Sequence, residues 1–142
     1  LYNPAPARET DIEMIPFCDF ITPNEHECSE LFPDKKLEEI IKIYPNKMIV
    51  TLGVEGSIYY DGAAVQKIPA IKAEVVDTTG AGDTFNGAFA YAVSKGKEMN
   101  VALSFATIAS HLSVQRFGAQ GGMPSLKEVK EHSGYEEIWD FK

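Results

Sequence analysis

Residues 77–87, which read DTTGAGDTFNG, constrain the fold of this chain more than any other segment. A short apolar strand is predicted to end just before them, at residues 75–76, and a helical pattern of apolar residues begins at Phe85. Gly80 and Gly82 let the backbone turn tightly and let a ligand approach it closely. A glycine-rich turn from a strand into a helix is typical of α/β domains, whose ligands bind at the carboxyl edge of the sheet.

Strand and helix patterns alternate along the whole chain. The predicted strands are residues 17–22, 47–52, 57–60, 64–68 and 75–76. Two helices are predicted in the first part of the chain, over residues 24–32 and from a cap at Asp34 to Tyr44. Three more follow, from Phe85 to near Gly96, over residues 101–112, and in a short helix that begins at Pro124 and Ser125. Asp61 and Gly62 predict a hairpin, and residues 118–122 predict a loop. The sequence therefore predicts an α/β layered domain with a mostly parallel sheet and one inserted hairpin.

Composition excludes several functional classes. The 142 residues are enough for one domain, and the net charge of −8 argues against nucleic-acid binding, which needs clustered Lys and Arg. No apolar run reaches the roughly 18–20 residues that a membrane span requires, and the residues that follow Leu1 are not expected to be a signal peptide. Cys18 and Cys28 match no zinc-site spacing and are expected to be free, buried or half-buried thiols. A small phosphorylated ligand remains compatible with this composition, because backbone N–H groups can bind phosphate.

The start of the helix after residue 80 is a candidate site for phosphoryl transfer. The first N–H groups of a helix have no intrahelical partner and lie at the positive end of its dipole, so they can stabilise developing negative charge. Asp83 lies beside them and is a candidate general base, although Asp is also a common helix N-cap. Asp77 is a second carboxylate, at the end of the predicted strand. Neither a P-loop nor a dinucleotide-binding fingerprint is present.

Five segments, in order and spacing, resemble the signatures of the ribokinase-like (PfkB) sugar kinase family. They are residues 3–8 (NPAPAR), 21–27 (ITPNEHE), 51–56 (TLGVEG), 77–89 (DTTGAGDTFNGAF) and 116–120 (RFGAQ). The resemblance runs over nearly the whole chain. It implies a three-layer α/β/α fold, of which residues 1–142 would be the C-terminal, ATP-binding part. The amino-terminal half, with the sugar-recognition residues and a small β lid, is expected outside these residues.

The resemblance also implies a role for each matching residue. Asp83 would be the base for the sugar's primary hydroxyl, Gly80, Ala81 and Gly82 would form the anion hole, and Asn24, Thr51, Leu52, Gly53, Val54, Glu55, Gly56 and Gly82 would contact ATP. Glu27 would organise Mg²⁺ through water, and its alternative is an exposed carboxylate on a helix face. Thr107 matches a position near the adenine, and its alternative is helix packing.

A potassium-like ion is a further implication of the resemblance. Its ligands would be the Asp77 side chain and the backbone oxygens of Thr79, Ser113, Arg116 and Gly118. The chain departs from the family at Gly122, which falls where a serine ligand is expected. Water or Ser125 would then complete the ion's shell.

The activity implied by the resemblance is ATP-dependent phosphorylation of D-ribose to ribose 5-phosphate by a cytoplasmic homodimer, with the sugar and ATP as partners and no nucleic acid or membrane. Another kinase of the same family, acting on fructose, a keto-deoxy-sugar acid or a nucleoside, is an alternative. So is a truncated, non-catalytic module that binds nucleotide. A plain α/β domain, in which the glycine-rich turn is only structural, is the third alternative.

Overall fold

The computed structural model describes residues 1–136 of the chain. They divide into two compact units, one spanning Leu1–Pro69 and the other beginning at Ala70. No helix within the described range combines the length and the hydropathy of a membrane-spanning segment.

The first unit packs helices against a small sheet. In chain order it contains α1 (Asp11–Met14), a 3-10 turn (Ile15–Phe17), α2 (Glu25–Leu31), α3 (Leu37–Ile43), β1 (Ile49–Thr51), a second 3-10 turn (Gly53–Glu55), β2 (Ser57–Tyr60) and β3 (Val65–Ile68). Its core is built from fully buried aliphatic side chains, among them Ile21, Ile41 and Met48. Cys28 lies in the same core, and burial raises the pKa of its thiol to about 12. Both cysteines are free, as predicted.

The predicted hairpin is confirmed. β2 and β3 pair antiparallel, with Tyr59 opposite Gln66, and the turn between them contains Gly62 with a φ of 100°. The Asp61 carboxylate accepts hydrogen bonds from the N–H groups of Ala63 and Ala64, both at 2.7 Å. These bonds hold the pKa of Asp61 below its usual value, and the bond from Ala64 has the largest effect. A carboxylate that binds its own following backbone is the device that makes Asp a turn residue.

The named strands do not form the predicted parallel sheet. Their order is β1-β2-β3, and β1 pairs antiparallel with β2, so that within residues 1–136 both strand pairs are antiparallel. Parallel pairing occurs at isolated bridges, such as Ile21 with Met48 and Asn24 with Thr51. Single bridges satisfy too few backbone groups to count as strands, so the parallel part of the prediction is not shown.

The predicted strand over residues 17–22 is wrong. Phe17 ends a 3-10 turn with its side chain 84% exposed, and Ile21 alone bridges to its neighbours. The 3-10 turn occupies the start of the segment, because the Cys18 N–H donates to the Ile15 carbonyl at 3.3 Å. Pro23 follows the segment and has no N–H to extend a ladder beyond Thr22.

The helices of the first unit largely match the predictions. α2 falls within the predicted helix of residues 24–32, and α3 buries Ile40 and Ile41 as expected. The predicted cap of α3 is wrong, because its N-cap is Lys36 and not Asp34. The Glu39 carboxylate accepts the Lys36 N–H at 3.0 Å, so the cap interaction comes from inside the helix.

The second unit is helical. It contains α4 (Ala81–Ser94), α5 (Met99–Ser113), α6 (Ala119–Gly122) and α7 (Leu126–Glu131). α4 and α5 pack along each other and bury Phe89, Ala92, Leu103 and Ala106 completely. The predicted helices over residues 85–96 and 101–112 are confirmed, and so is the short helix capped by Ser125.

Two predictions for the second unit are wrong. Val75 and Val76 form no strand; their side chains are exposed, and the Val76 N–H donates to the Val114 carbonyl at 2.8 Å. The predicted loop over residues 118–122 contains the helical turn α6, in which the Gly122 N–H donates to the Gly118 carbonyl at 2.7 Å. Glycine content alone predicted a loop here, but a hydrogen bond across four residues closes the turn.

Candidate active site

Gly80 makes the entry into α4 possible. It is the N-cap of the helix with a φ of 78°, a left-handed conformation that glycine adopts without steric cost. A Cβ at this position would lie 3.0 Å from the Cα of Ala119, so the close approach of α6 also requires glycine. The Gly80 carbonyl accepts the Thr84 N–H at 2.9 Å and so begins the helical ladder.

Open N–H groups remain at this helix start. Ala81 donates its N–H to the Thr78 carbonyl at 3.2 Å, whereas the N–H groups of Gly82 and Asp83 have no acceptor within residues 1–136. Gly82 is exposed, and nothing lies within 4 Å of a Cβ placed on it. Since α4 is 14 residues long, its dipole reinforces these donors. The arrangement can bind an anion.

Asp83 lies in the first turn of α4 and is exposed to solvent. The alternative role of Asp83 as N-cap is wrong, because Gly80 occupies that position and no side chain caps the helix. In the part of the chain that the structure describes, the Asp83 carboxylate has no hydrogen-bond partner. It is therefore free to accept a proton from a bound hydroxyl.

Asp77 joins two loops. One carboxylate oxygen accepts the Thr79 N–H at 2.9 Å, and the other accepts the Gly118 N–H at 2.9 Å. The hydrogen bonds from Thr79, followed by that from Gly118, hold the pKa of Asp77 below its usual value. Asp77 is thus an anionic anchor for the two segments that carry the predicted cation ligands.

The chemistry of the donor set fits a monovalent cation. Ser113 and Arg116 direct their carbonyl oxygens towards Gly122, so that a Cβ there would lie 2.8 Å from the first oxygen and 3.7 Å from the second. Carbonyl and carboxylate oxygens are hard ligands of the kind that bind such ions. Ser125 is already engaged, since its hydroxyl donates to Glu128 at 2.8 Å. The side chains offer no other metal cluster, because no three His, Cys, Asp or Glu residues between 1 and 136 come together.

Thr107 is 8% exposed in the middle of α5. Its hydroxyl donates to the Leu103 carbonyl at 2.9 Å, which is the usual arrangement for a threonine inside a helix. This contact supports the packing role of Thr107, while its position near an adenine stays a prediction.

In the first unit, Asn24 and Glu27 form a reciprocal cap at the start of α2. The Asn24 side chain accepts the Glu27 N–H at 2.8 Å, and the Glu27 carboxylate accepts the Asn24 N–H at 2.7 Å. Glu27 is only 8% exposed, so its alternative as an exposed helix-face carboxylate is wrong. Sequence reasoning missed this capping box, although Asn followed three residues later by Glu is its known signature.

Residues 51–56 lie beside this cap, because Thr51 bridges to Asn24. The Leu52 N–H donates to the Gly56 carbonyl at 2.7 Å and closes the loop. Gly53 and Gly56 both have positive φ, at 55° and 99°. The side chain of Val54 is 90% exposed at the tip of the loop. The Glu55 carboxylate pairs with Lys67 at 3.0 Å, so its charge is directed towards β3.

The capping box gives a prediction for Glu27. In the complete protein, Glu27→Ala is expected to lower the free energy of unfolding by about 1 kcal/mol, because the helix start loses an acceptor. Glu27→Gln keeps an acceptor oxygen and is expected to lose less. Urea unfolding of the two variants measures the difference, and equal losses would contradict a capping role.

The Arg116–Glu128 pair is the other interaction that sequence reasoning missed. The Arg116 guanidinium donates to Glu128, whose second oxygen accepts the Ser125 N–H at 2.7 Å. These bonds lower the pKa of Glu128 to about 2, and the bond from Arg116 has the largest effect. The sequence signals only the Ser125–Glu128 part, since Ser followed three residues later by Glu is a capping box, and it contains no signal that pairs Arg116 with Glu128.

Comparison with known proteins gives the family. The pfkB family carbohydrate kinase model matches residues 1–126. A ribokinase of Lactococcus lactis is 67% identical over 130 residues, which cover 92% of this chain and 43% of that protein. The crystal structure of a ribokinase from Thermotoga maritima matches with a TM-score of 0.79 and 36% identity, over 90% of this chain and 46% of that one. An Arabidopsis thaliana ribokinase, solved with ribose and ATP, matches with a TM-score of 0.73 and 35% identity, over 92% of this chain and 43% of that one.

The chain spans less than half the length of these relatives. Over the part that it does span, it has the ribokinase fold predicted from its motifs. The family model covers the first unit and the second unit as far as Leu126, including the cap at Asn24, the turn at Gly80 and the exposed carboxylate of Asp83. By its sequence and by its fold, the chain belongs to the pfkB family of carbohydrate kinases.

Proposed function

We propose that the complete protein containing this chain transfers the γ-phosphoryl group of ATP to D-ribose, giving ribose 5-phosphate and ADP. The observation that carries the proposal is the exposed Asp83 carboxylate beside the open N–H groups of α4. A free base next to an anion hole is the minimum that phosphoryl transfer to a hydroxyl needs. The ribokinase names of the relatives, and the ribose and ATP bound to the Arabidopsis protein, support ribose as the acceptor.

Asp83 takes the proton from a primary hydroxyl of the sugar as the hydroxyl oxygen attacks the γ-phosphorus of ATP. The bond between the γ-phosphorus and the bridging oxygen breaks, and ADP leaves with that electron pair. The N–H groups of Gly80, Ala81 and Gly82 form the anion hole of this proposal and stabilise the charge on the transferred group. The Gly82 N–H has no acceptor within the described residues and can donate to the transferred group. The Ala81 N–H must first give up its hydrogen bond to the Thr78 carbonyl, at 3.2 Å.

Binding of ATP is assigned to Asn24, residues 51–56 and Thr107. Gly53 and Gly56 in the 51–56 loop both have positive φ and no side chain, which supports a close approach of a ligand to the backbone there. Glu27 is assigned to the organisation of Mg²⁺ through water, and Mg²⁺ supplies positive charge that neutralises the phosphates. The Glu27 carboxylate already accepts the Asn24 N–H, and an outer-shell role through water is compatible with that bond.

A monovalent cation such as K⁺ is assigned to the Asp77 carboxylate and to backbone oxygens of Thr79, Ser113, Arg116 and Gly118. The convergence of the Ser113 and Arg116 carbonyls on the bare Cα of Gly122 supports this assignment. A homodimer, located in the cytoplasm and without nucleic-acid partners, completes the proposal.

Gly122 gives a counter-intuitive prediction. Gly122→Ser restores the residue type expected in the family, yet a Cβ there would lie 2.8 Å from the backbone oxygen of Ser113. The substitution is therefore expected to lower the free energy of unfolding by about 1–3 kcal/mol and to weaken stabilisation by K⁺. Gly121→Ser is the matched control, because nothing lies within 4 Å of a Cβ at Gly121. Melting curves with and without K⁺ test this, and tighter K⁺ binding in Gly122→Ser would contradict the steric argument.

The proposed function is tested by ADP release from the complete gene product, supplied with ATP, Mg²⁺ and one sugar at a time, with and without K⁺. Release with ribose is the expected result, and faster release in K⁺ supports the cation site. Release with fructose, a keto-deoxy-sugar acid or a nucleoside, but not with ribose, would keep the phosphoryl transfer and overturn the acceptor. No release with any acceptor would overturn the kinase and favour a nucleotide-binding module.

A further inference from the structure

The turn between α5 and α6 carries three of the proposed cation ligands and needs to be held in place. The Arg116 carbonyl oxygen lies within this turn, and the carbonyl oxygens of Ser113 and Gly118 lie at its two ends, where α5 ends and α6 begins. Its middle is exposed to solvent, and the side chain of Phe117 is 84% exposed. Exposed turns with few buried contacts open easily, so carbonyls can serve as ligands only if the backbone is anchored.

The two ends of the turn have firm backbone anchors. The Val114 carbonyl accepts N–H groups from Val76 at 2.8 Å and from Asp77 at 3.2 Å. At the other end, the Gly118 N–H donates to the Asp77 carboxylate at 2.9 Å. In the middle, the Arg116 N–H is 3.4 Å from the Ser113 carbonyl, which is long for a hydrogen bond.

The middle of the turn is held by a side chain instead. Arg116 donates from its guanidinium to one oxygen of Glu128 on α7. The other oxygen of Glu128 accepts both the N–H and the hydroxyl of Ser125, at 2.7 and 2.8 Å. Because the capping box fixes this carboxylate, Arg116 meets a partner that is already oriented, and charge-assisted bonds of this kind are among the stronger hydrogen bonds.

We infer that Glu128 is a positioning residue: through Arg116 it orients the carbonyl oxygens of the turn that the proposed monovalent cation binds. The inference rests on the cation site of the proposed function. Glu128 lies beyond residues 1–126, which the family model matches.

Glu128→Gln separates this role from helix capping, because glutamine at the same position still supplies an oxygen to the capping box but no charge to Arg116. Glu131→Gln is the matched control: it removes the same charge from the same helix, and the one contact of the Glu131 carboxylate within residues 1–136 is an exposed one with Lys127 at 3.7 Å. The complete gene product is titrated with KCl, with tetramethylammonium chloride keeping the ionic strength constant. Two quantities are measured: the rate of ADP release, and the melting temperature without nucleotide.

The half-effect concentration is the K⁺ concentration that gives half of the maximal increase in rate or in melting temperature. In Glu128→Gln it is expected to rise about threefold in both measurements, which is the size of effect that a partly exposed ion pair supports. Arg116→Met is expected to give a similar rise, and the double variant no more than either single one, because both remove the same interaction. Glu131→Gln is expected to match the parent protein.

Coincident K⁺ curves for Glu128→Gln, Glu131→Gln and the parent would overturn the inference, and so would a lower melting temperature with no change in the half-effect concentration. An active kinase that ignores K⁺ in both measurements would overturn the cation site, and the inference with it, but not the kinase. A protein without kinase activity, whose melting temperature responds to K⁺ with the expected rise in Glu128→Gln, would uphold the inference and overturn the kinase.

Discussion

Replacement of Asp83 by asparagine in the complete protein is expected to lower turnover by about 10²- to 10⁴-fold, the usual contribution of a general base. Asparagine keeps the shape of the side chain but has no basic oxygen to take the proton of the attacking hydroxyl. Asp83 is exposed and makes no cap to α4, so folding is expected to be unaffected. Affinity for ATP is expected to stay near that of the parent. Steady-state ADP release and equilibrium binding of ATP measure the two effects.

Asp34→Asn is the control for this change. Asp34 is also an exposed aspartate, and the structure excludes it as the cap of α3. It is expected to retain full turnover and an unchanged melting temperature. If Asp83→Asn turned over sugar as fast as Asp34→Asn, Asp83 would lose its assigned role, whatever its distance from the anion hole.

Substitutions at Gly82 and Gly80 are expected to have large but different effects. Gly82→Val places a side chain over the open N–H groups of α4 and is expected to abolish most phosphoryl transfer. Loss of a single donor of this type already lowers turnover by about 10²- to 10³-fold in other enzymes. Nothing lies within 4 Å of a Cβ at Gly82, so the variant is expected to fold.

Gly80→Ala acts on the fold itself. Its φ of 78° disfavours any side chain, and the new Cβ would lie 3.0 Å from backbone and side chain of Ala119. Left-handed strain and overpacking together are expected to lower the free energy of unfolding by about 2–4 kcal/mol. Urea unfolding and ADP release on both variants separate the two mechanisms. A stable and active Gly82→Val would remove the anion hole from the proposal, and a Gly80→Ala variant as stable as the parent would remove the steric argument.

The helices were predictable because their signals are local. Apolar residues recur at helical spacing in α4 and α5, and the structure buries Phe85, Phe89 and Phe105 on those faces. The strands over residues 17–22 and 75–76 were not predictable in this way. An apolar run can form a strand only if another backbone pairs with it, and the run itself does not specify the partner.

In the candidate site, too, the local features were predictable from the sequence and the contacts between distant residues were not. Residues 77–83 were singled out because glycine at a helix start has a local physical meaning. The interaction of Asp77 with Gly118 joins residues that are distant in the sequence, and so does that of Arg116 with Glu128. Only the packing of α6 and α7 near the end of α5 brings these pairs together.

The amino-acid sequence was sufficient to establish the family, the helices of the second unit and the turn that presents Asp83, because each depends on residues that are neighbours along the chain. The tertiary structure decided the antiparallel sheet, the requirement for glycine at positions 80 and 122, and the anchoring of the Arg116 turn. Those features depend on which segments approach within about 3–4 Å of one another, the range of packing contacts and hydrogen bonds. Such distances are set when the helices pack, and no pattern along the chain encodes them separately.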